Sequence, residues 1–291
     1  MDDLRRRAYR VKRSVVKRSN RAERTARFKL LERHDREVLD SIRPSFIEEA
    51  NASSTLDRTR PLVSITVPTY QRGELLVERT IPALLAQTHE NIEVIVVGDH
   101  CTDATVALMA DVRDPRVRFV NLVERGTYPV DPRAKWQVAG VVPLNRALHL
   151  ATGAWIAHCD DDARLLPHHI EHLLEQARHD EAEFVVARTR DEDAPGHWVE
   201  WGEPIEPDQP LGSVPHSATL TRSYLRWIPY RLDSWKFYSG ADRVRFERFH
   251  RAGVRISHLD EVVVEQPLRP GQRSGTVDFI VEHGYHPSDP T

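Results

Sequence analysis

The stretch WIAHCDDDARLLP, residues 155–167, places Asp160, Asp161 and Asp162 side by side behind a short apolar run and closes with Pro167. Three adjacent carboxylates can cradle a hard cation through oxygen ligands, or they can be a solvated acidic turn. What precedes and follows them must decide, because a cation cradle needs a rigid element to hold it. Cys101 and Cys159, the two cysteines, each stand next to acidic residues rather than in a paired spacing. They read as small reduced core residues, with neither a disulfide framework nor a zinc site indicated.

The positioning elements read as alternating strands and helices from residue 61 onward. Leu62–Val67 is a β-rich apolar strand stopped by Pro68, and Glu74–Gln87 carries helical spacing of Leu75, Leu76, Ile81, Leu84 and Leu85. Ile92–Val97, Val117–Leu122 and Ala154–Cys159 read as further strands, Asp103–Val112 and Val142–Leu150 as helices, and 123–139 as a loop of mixed character. Successive βα units predict mostly parallel pairing, and ligands of such sheets bind beyond the carboxyl ends of the strands. Three strand ends carry distinctive residues: VPTYQR (67–72), VVGDHCTD (96–103) and HCDDDA (158–163).

In that order and spacing, SITVPTYQRGELL, NIEVIVVGDHCTDAT and NRALHLATGAWIAHCDDDARLLPHHIEHL resemble the nucleotide-sugar half of family 2 glycosyltransferases of the GT-A fold. The usual forms there are V-P-T-Y-N-R, V-V-D-D-G-S-T-D and G-x-x-x-x-x-L-D-x-D-D-x-x-x-P, and the likeness spans about residues 61–270. The resemblance implies an α/β fold with a Rossmann-like, mostly parallel sheet flanked by helices. It implies a metal site at Asp162 and Asp160, with Asp162 the direct ligand and Asp160 nearer the ribose or the metal's waters; Asp161 is left between roles. A divalent Mn2+ or Mg2+ would offset the charge that grows on a departing nucleoside diphosphate. By the same likeness Pro68, Thr69, Tyr70 and Arg72 line the nucleotide, and Asp99 accepts from the base ring N–H, which favours uracil or thymine. Gly98 stands where the first Asp of V-V-D-D is usual, and His100-Cys101 where Gly-Ser is usual. Asn145, which the resemblance places among the nucleotide-binding residues, falls where Ala-Arg-Asn often precedes a helix, with Leu144 replacing the arginine.

For the second half, Asp242–Gly253 fits the family pattern E-D-x-x-x-x-x-R-x-x-x-A-G, with Ala241 in place of Glu. Asp242 is then the expected catalytic base, since inversion needs a carboxylate to take the acceptor proton opposite the leaving group. An Asp near a helix start is also favoured as a cap. Arg248 reads as structural, and Trp235 as a wall of the acceptor site. Trp198, Trp201 and Trp227 read as packing residues. RPGQRSG (269–275) reads as a loop whose arginines approach the diphosphate. His168, His169 and His172 lack an H-E-x-x-H pattern and read as a solvated helix face.

The formal charge of −3 divides into net +9 over residues 1–30 and net −12 beyond. Residues 1–40 contain neither Gly nor Pro and suit a long basic helix; 41–61 reads as a connector. The expected division is a basic helical extension and linker (1–60), a nucleotide-sugar half (61–165), and an acceptor half with tail (166–291). No apolar run approaches a membrane span or a secretory signal, so the expectation is a cytoplasmic protein, or one peripheral at the inner face of the membrane through residues 1–40. The expected partners are a UDP- or dTDP-sugar and a glycan, lipid-linked or small-molecule acceptor, with nucleic acid ranked last. A sugar nucleotidyltransferase would need a Gly-rich loop after the first strand, which VPTYQRGELL lacks. The other rival is a non-catalytic nucleotide- or membrane-binding protein on the same scaffold.

Overall fold

A computed structural model describes residues 2–52, 58–202, 214–237, 239–269 and 271–272, the side chains of 2–21 and 49–51 excepted. Helix α1 runs Asp2–Ala52. Strand β1 (Val63–Thr69) leads into α2, whose parts Gly73–Leu75 and Ile81–Leu85 flank a π turn at Leu76–Thr80. Next come β2 (Ile92–Gly98), α3 (Thr105–Ala110), β3 (Val117–Asn121), α4 (Pro132–Gln137), α5 (Val141–Leu150) and β4 (Trp155–His158). The second half holds β5 (Arg164–Leu165), α6 (His169–His179), β6 (Phe184–Ala194), β7 (His197–Trp201), β8 (Thr219–Arg222), α7 (Ala241–Ala252) and β9 (Ile256–Gln266).

The strands form one sheet in the order β3-β2-β1-β4-β8-β6-β9-β5, with β7 on β6. The first four are parallel, as the βα alternation predicts, and β6 with β9 is parallel too; β8, β5 and β7 join antiparallel. Period-two alternation divides the strand residues between two cores. Val63, Ile65, Val67, Val94, Val96 and Ala157 pack on the side of Leu76, Leu84, Ile170 and Leu173, while Ile95, Val97 and Ile156 pack against Val141, Leu144 and Leu148. With both faces of these strands covered among the described residues, their carboxyl ends are where a ligand can approach.

Three expectations need correction. Residues 41–52 continue α1 through Pro44 instead of forming a connector. A proline inside a helix removes one N–H and crowds the preceding turn. Here burial offsets that cost: Ile42 and Phe46 pack beside Tyr224, Leu225 and Ile228, and Arg43 clamps Glu183 at 2.8 and 2.9 Å. His169 is wholly buried, with Nδ1 3.2 Å from the Val263 carbonyl, so only His168 and His172 form the exposed stacked pair. The 123–139 segment contains α4, whose cap Asp131 accepts from Ala134 N–H at 2.8 Å.

The basic helix is also less solvated than its charge suggests. Phe28 and Leu39 are fully buried, and Asp35 pairs with Arg248 of α7 through two 2.8 Å bonds out of contact with solvent. Arg248 is thus structural, as expected. Among the described residues, no helix is long and apolar enough to cross a membrane.

Candidate functional site

The carboxyl ends of β1, β2 and β4 converge on one cleft of about 280 Å³. Pro68, Thr69, Tyr70 and Arg72 follow β1, Asp99 follows β2, and Asp160 and Asp161 follow β4; all seven line it, as their sequence positions predict. The β2 turn departs from the family sequence for a packing reason. A Cβ on Gly98 would lie 2.5 Å from Asn121 Oδ1, and that side chain accepts from Cys101 N–H at 2.8 Å and donates to Cys101 O at 2.9 Å. An aspartate there would have to displace the Asn121 side chain and break its two bonds to Cys101. His100 pays with a left-handed φ of 58°, and Gln71 in the β1 turn has φ of 55°. Such backbone is uncommon for residues with a Cβ, and here it falls next in sequence to the cleft residues Tyr70, Arg72 and Asp99.

The three adjacent aspartates have three different environments. Asp161 is buried, accepts from Thr69 Oγ1 at 2.8 Å and Arg72 Nη1 at 2.7 Å, and serves as the anchor of the turn. Burial raises its pKa, and the Arg72 charge opposes that. Asp162 accepts from the same Arg72 nitrogen at 2.9 Å and from Gln266 Nε2 at 2.7 Å, with Arg269 Nε 3.8 Å away. Arg269, one of the two arginines expected to approach the diphosphate, thus lies beside Asp162; Arg273 of the same loop lies outside the described residues. Asp160 has a side chain 47% exposed at the cleft. It accepts from Ser217 Oγ at 2.8 Å and lies 3.0 Å from His158 Nε2. Desolvation by the surrounding protein acts to raise its pKa, but the His158 ring and the Ser217 hydroxyl outweigh it and hold the carboxyl well below the ordinary range. The π turn in α2 locks this loop from below: Thr80 Oγ1 donates to Asp161 O at 2.9 Å and Arg79 Nη1 to Asp162 O at 3.1 Å.

The β3–α5 connection supplies residues the sequence reading passed over. Arg125, Tyr128 and Lys135 line the cleft. Asp99 is almost fully buried and accepts from Gly126 N–H at 2.9 Å and Tyr128 O–H at 2.8 Å, while the Arg125 guanidinium lies 3.6 Å from the centre of the Tyr70 ring. A carboxylate has about four acceptor positions, so Asp99 keeps capacity for a ligand N–H. The only signal in the sequence was an Arg and a Tyr flanking Gly126 in an otherwise irregular loop.

Asp242 lies in the first turn of α7, where Gly240 leaves it room: a Cβ on Gly240 would be 2.5 Å from Asp242 Oδ1. The residue is half-buried, and its carboxyl is walled by protein. That desolvation, and after it the charge of Asp160, raise its pKa against the Arg243 N–H. Four expected residues lie off the wall of this cleft: Asp162, Asp242, Asn145 and Trp235. Asn145 exchanges two bonds with the Tyr230 backbone, 2.8 and 3.0 Å, and so positions the segment before α7. Trp235 is 39% exposed under the Lys236 ammonium.

Hard carboxylate oxygens at the open end of a strand are a suitable donor set for Mg2+ or Mn2+, and the Arg72 guanidinium between Asp161 and Asp162 shows that the loop takes positive charge. His158, Asp160 and His216 also bring ligand atoms within 4.8 Å of one another. Their geometry is different: the two imidazoles stack at 3.6 Å and 18°, so their in-plane lone pairs run side by side and do not converge, and His216 Nε2 is 2.6 Å from Tyr230 Oη. That group braces Asp160.

Comparison with known proteins agrees with this layout. The family described as Glycosyl transferase family 2 matches residues 64–128 and 138–248. Succinoglycan biosynthesis protein ExoO of Rhizobium meliloti is 35% identical over 117 residues, 40% of this chain and 30% of that one. Chondroitin synthase of Escherichia coli is 31% identical over 135 residues, 46% of this chain and 18% of that one. The matched region therefore spans less than a third of either relative. Among solved structures, S. aureus TarS 1–349 in complex with UDP superposes with a TM-score of 0.55 at 18% identity, over 72% of this chain and 61% of that one. Mannosyltransferase PcManGT from Pyrobaculum calidifontis, in complex with GDP-Man and Mn2+, gives 0.53 at 18% identity over 87% and 70%. These structural likenesses establish the GT-A fold.

Proposed function

The chain belongs to glycosyl transferase family 2, and on that premise we propose that it moves a sugar from a UDP- or dTDP-sugar to an acceptor hydroxyl with inversion, assisted by Mn2+ or Mg2+ at Asp160 and Asp162. The observation that carries this reading is the meeting of the acid loop and the base-binding turns of β1 and β2 in a single cleft. The cation would supply charge neutralisation of the departing diphosphate. Tyr70 and Asp99 hold the base, the one by its ring and the other by accepting a ring N–H. Arg72 and Asp161 keep the acid loop in place. Asp242 takes the acceptor proton, and its raised pKa suits a base that must hold that proton during transfer.

Names among the relatives, succinoglycan biosynthesis and chondroitin synthase, favour a glycan as acceptor. The net +9 of residues 1–30 favours work at an anionic membrane surface on the cytoplasmic side.

A thermal-shift series with UDP, dTDP, GDP, ADP and CMP, each with and without Mn2+, tests the donor site. At about 100 times the dissociation constant a ligand stabilises by about 2.7 kcal/mol. We expect a pyrimidine diphosphate to raise the melting temperature with Mn2+, and Asp162→Asn to abolish the metal-dependent part. A wild type indifferent to every nucleotide would overturn the donor site.

A further inference from the structure

Asp191 has no part in the reaction described above, yet the sheet delivers it to the acid loop. In the β6–β9 register Asp191 stands opposite Gln266, and Gln266 Nε2 bonds Asp162 Oδ1 at 2.7 Å. Paired residues on neighbouring strands project from the same face about 5 Å apart. Asp191 is therefore the next side chain beyond Gln266 on the face that meets Asp162. The hairpin partner β7 fixes its rotamer: Trp201, paired with Thr189, donates its indole N–H to Asp191 Oδ2 at 2.8 Å. Both residues are half-buried.

A carboxylate beside two others suffers repulsion that an asparagine, an equally good acceptor for the indole, would avoid. A carboxylate has lone pairs left over for hydroxyl donors that an asparagine would supply less well, and a carboxylate next to an indole ring is a combination suited to a sugar diol and its C–H face. The side of the loop identifies which sugar. Asp191 faces Asp160 and Asp162 together, the two acids assigned to the metal and the diphosphate, and reaches them from the β6–β9 side through Gln266, whereas Asp242 approaches Asp160 from α7. In-line displacement puts the acceptor with the base and the donor ring with the leaving group.

We propose that Asp191, oriented by Trp201, binds hydroxyl groups of the transferred sugar and is a specificity-determining residue for it; this rests on the donor reading above. The hairpin β6–β7 then forms the sugar end of the donor site.

Calorimetry on the full chain with Mn2+ tests it, using UDP and GDP as bare nucleotides and UDP-glucose, UDP-N-acetylglucosamine and GDP-mannose as their sugar forms. For the tightest nucleotide sugar, Asp191→Asn should weaken binding about tenfold or more, while the matching nucleotide stays within about twofold. Trp201→Phe, which removes only the orienting N–H, should act in the same direction by about threefold and guards against a misfolded Asp191 variant. Equal weakening of sugar and bare nucleotide, or no change in either, would refute the sugar contact. A wild type that binds none of the five probes would instead refute the donor reading, and the sugar subsite with it.

Discussion

Asp242→Asn should lower kcat by about 10²–10⁴-fold while leaving nucleotide affinity unchanged, because it removes a proton acceptor without altering shape. The carboxyl stands at the start of α7, in a recess where desolvation and the Asp160 charge favour its protonated form. The pH dependence follows from that direction. A base works only when ionised, so activity must fall on acidification, and a raised pKa moves the fall to a higher pH than the ordinary aspartate value of about 3.9. The measurement is kcat against pH for the wild type, alongside kcat and the UDP dissociation constant for the variant. A variant that retains more than about a tenth of wild-type kcat would remove Asp242 from proton transfer and leave it as a helix-start residue.

Asp35→Ala should produce the largest loss of stability, about 3–5 kcal/mol, because it strands the Arg248 guanidinium without its partner in a site closed to water. For a chain of this size each kcal/mol lowers Tm by about 2–4 °C, so the fall should be on the order of 10 °C. Replacing both partners, Asp35→Leu with Arg248→Met, should recover most of it, since the cost is that of one unpaired buried charge and not of a missing attraction. Because Arg248 shares α7 with Asp242, the single variant should also lose activity below its melting temperature. A fall of under about 2 °C in the single variant would mean that α1 lies loosely on the body and its ion pair is solvated.

That helix marks one boundary of what a sequence can disclose. Charge and helical spacing announced α1, but a basic helix read from its arginines gave no hint of the apolar stripe of Phe28, Leu39, Ile42 and Phe46 finding a partner two hundred residues away. Pro44 likewise read as a break, since local propensity opposes a helix there, and only packing against Tyr224 and Glu183 decides for it.

The cleft at the strand ends was far more legible. Pro68, Thr69, Tyr70, Asp99 and Asp160 each sit within a few residues of a strand end, and in a parallel sheet every strand end opens on one edge, so strand order alone gathers them. Residue types and the short-range βα pattern therefore determined the fold, the acid loop and the position of the cleft. What only the tertiary structure decided is which atoms meet across long sequence separations: Gln266 on Asp162, Tyr128 on Asp99, Asp191 opposite Gln266, and Asn145 diverted to the Tyr230 backbone. Those contacts depend on strand register and loop path, which are fixed by the summed packing of the whole sheet and leave no local trace in the chain.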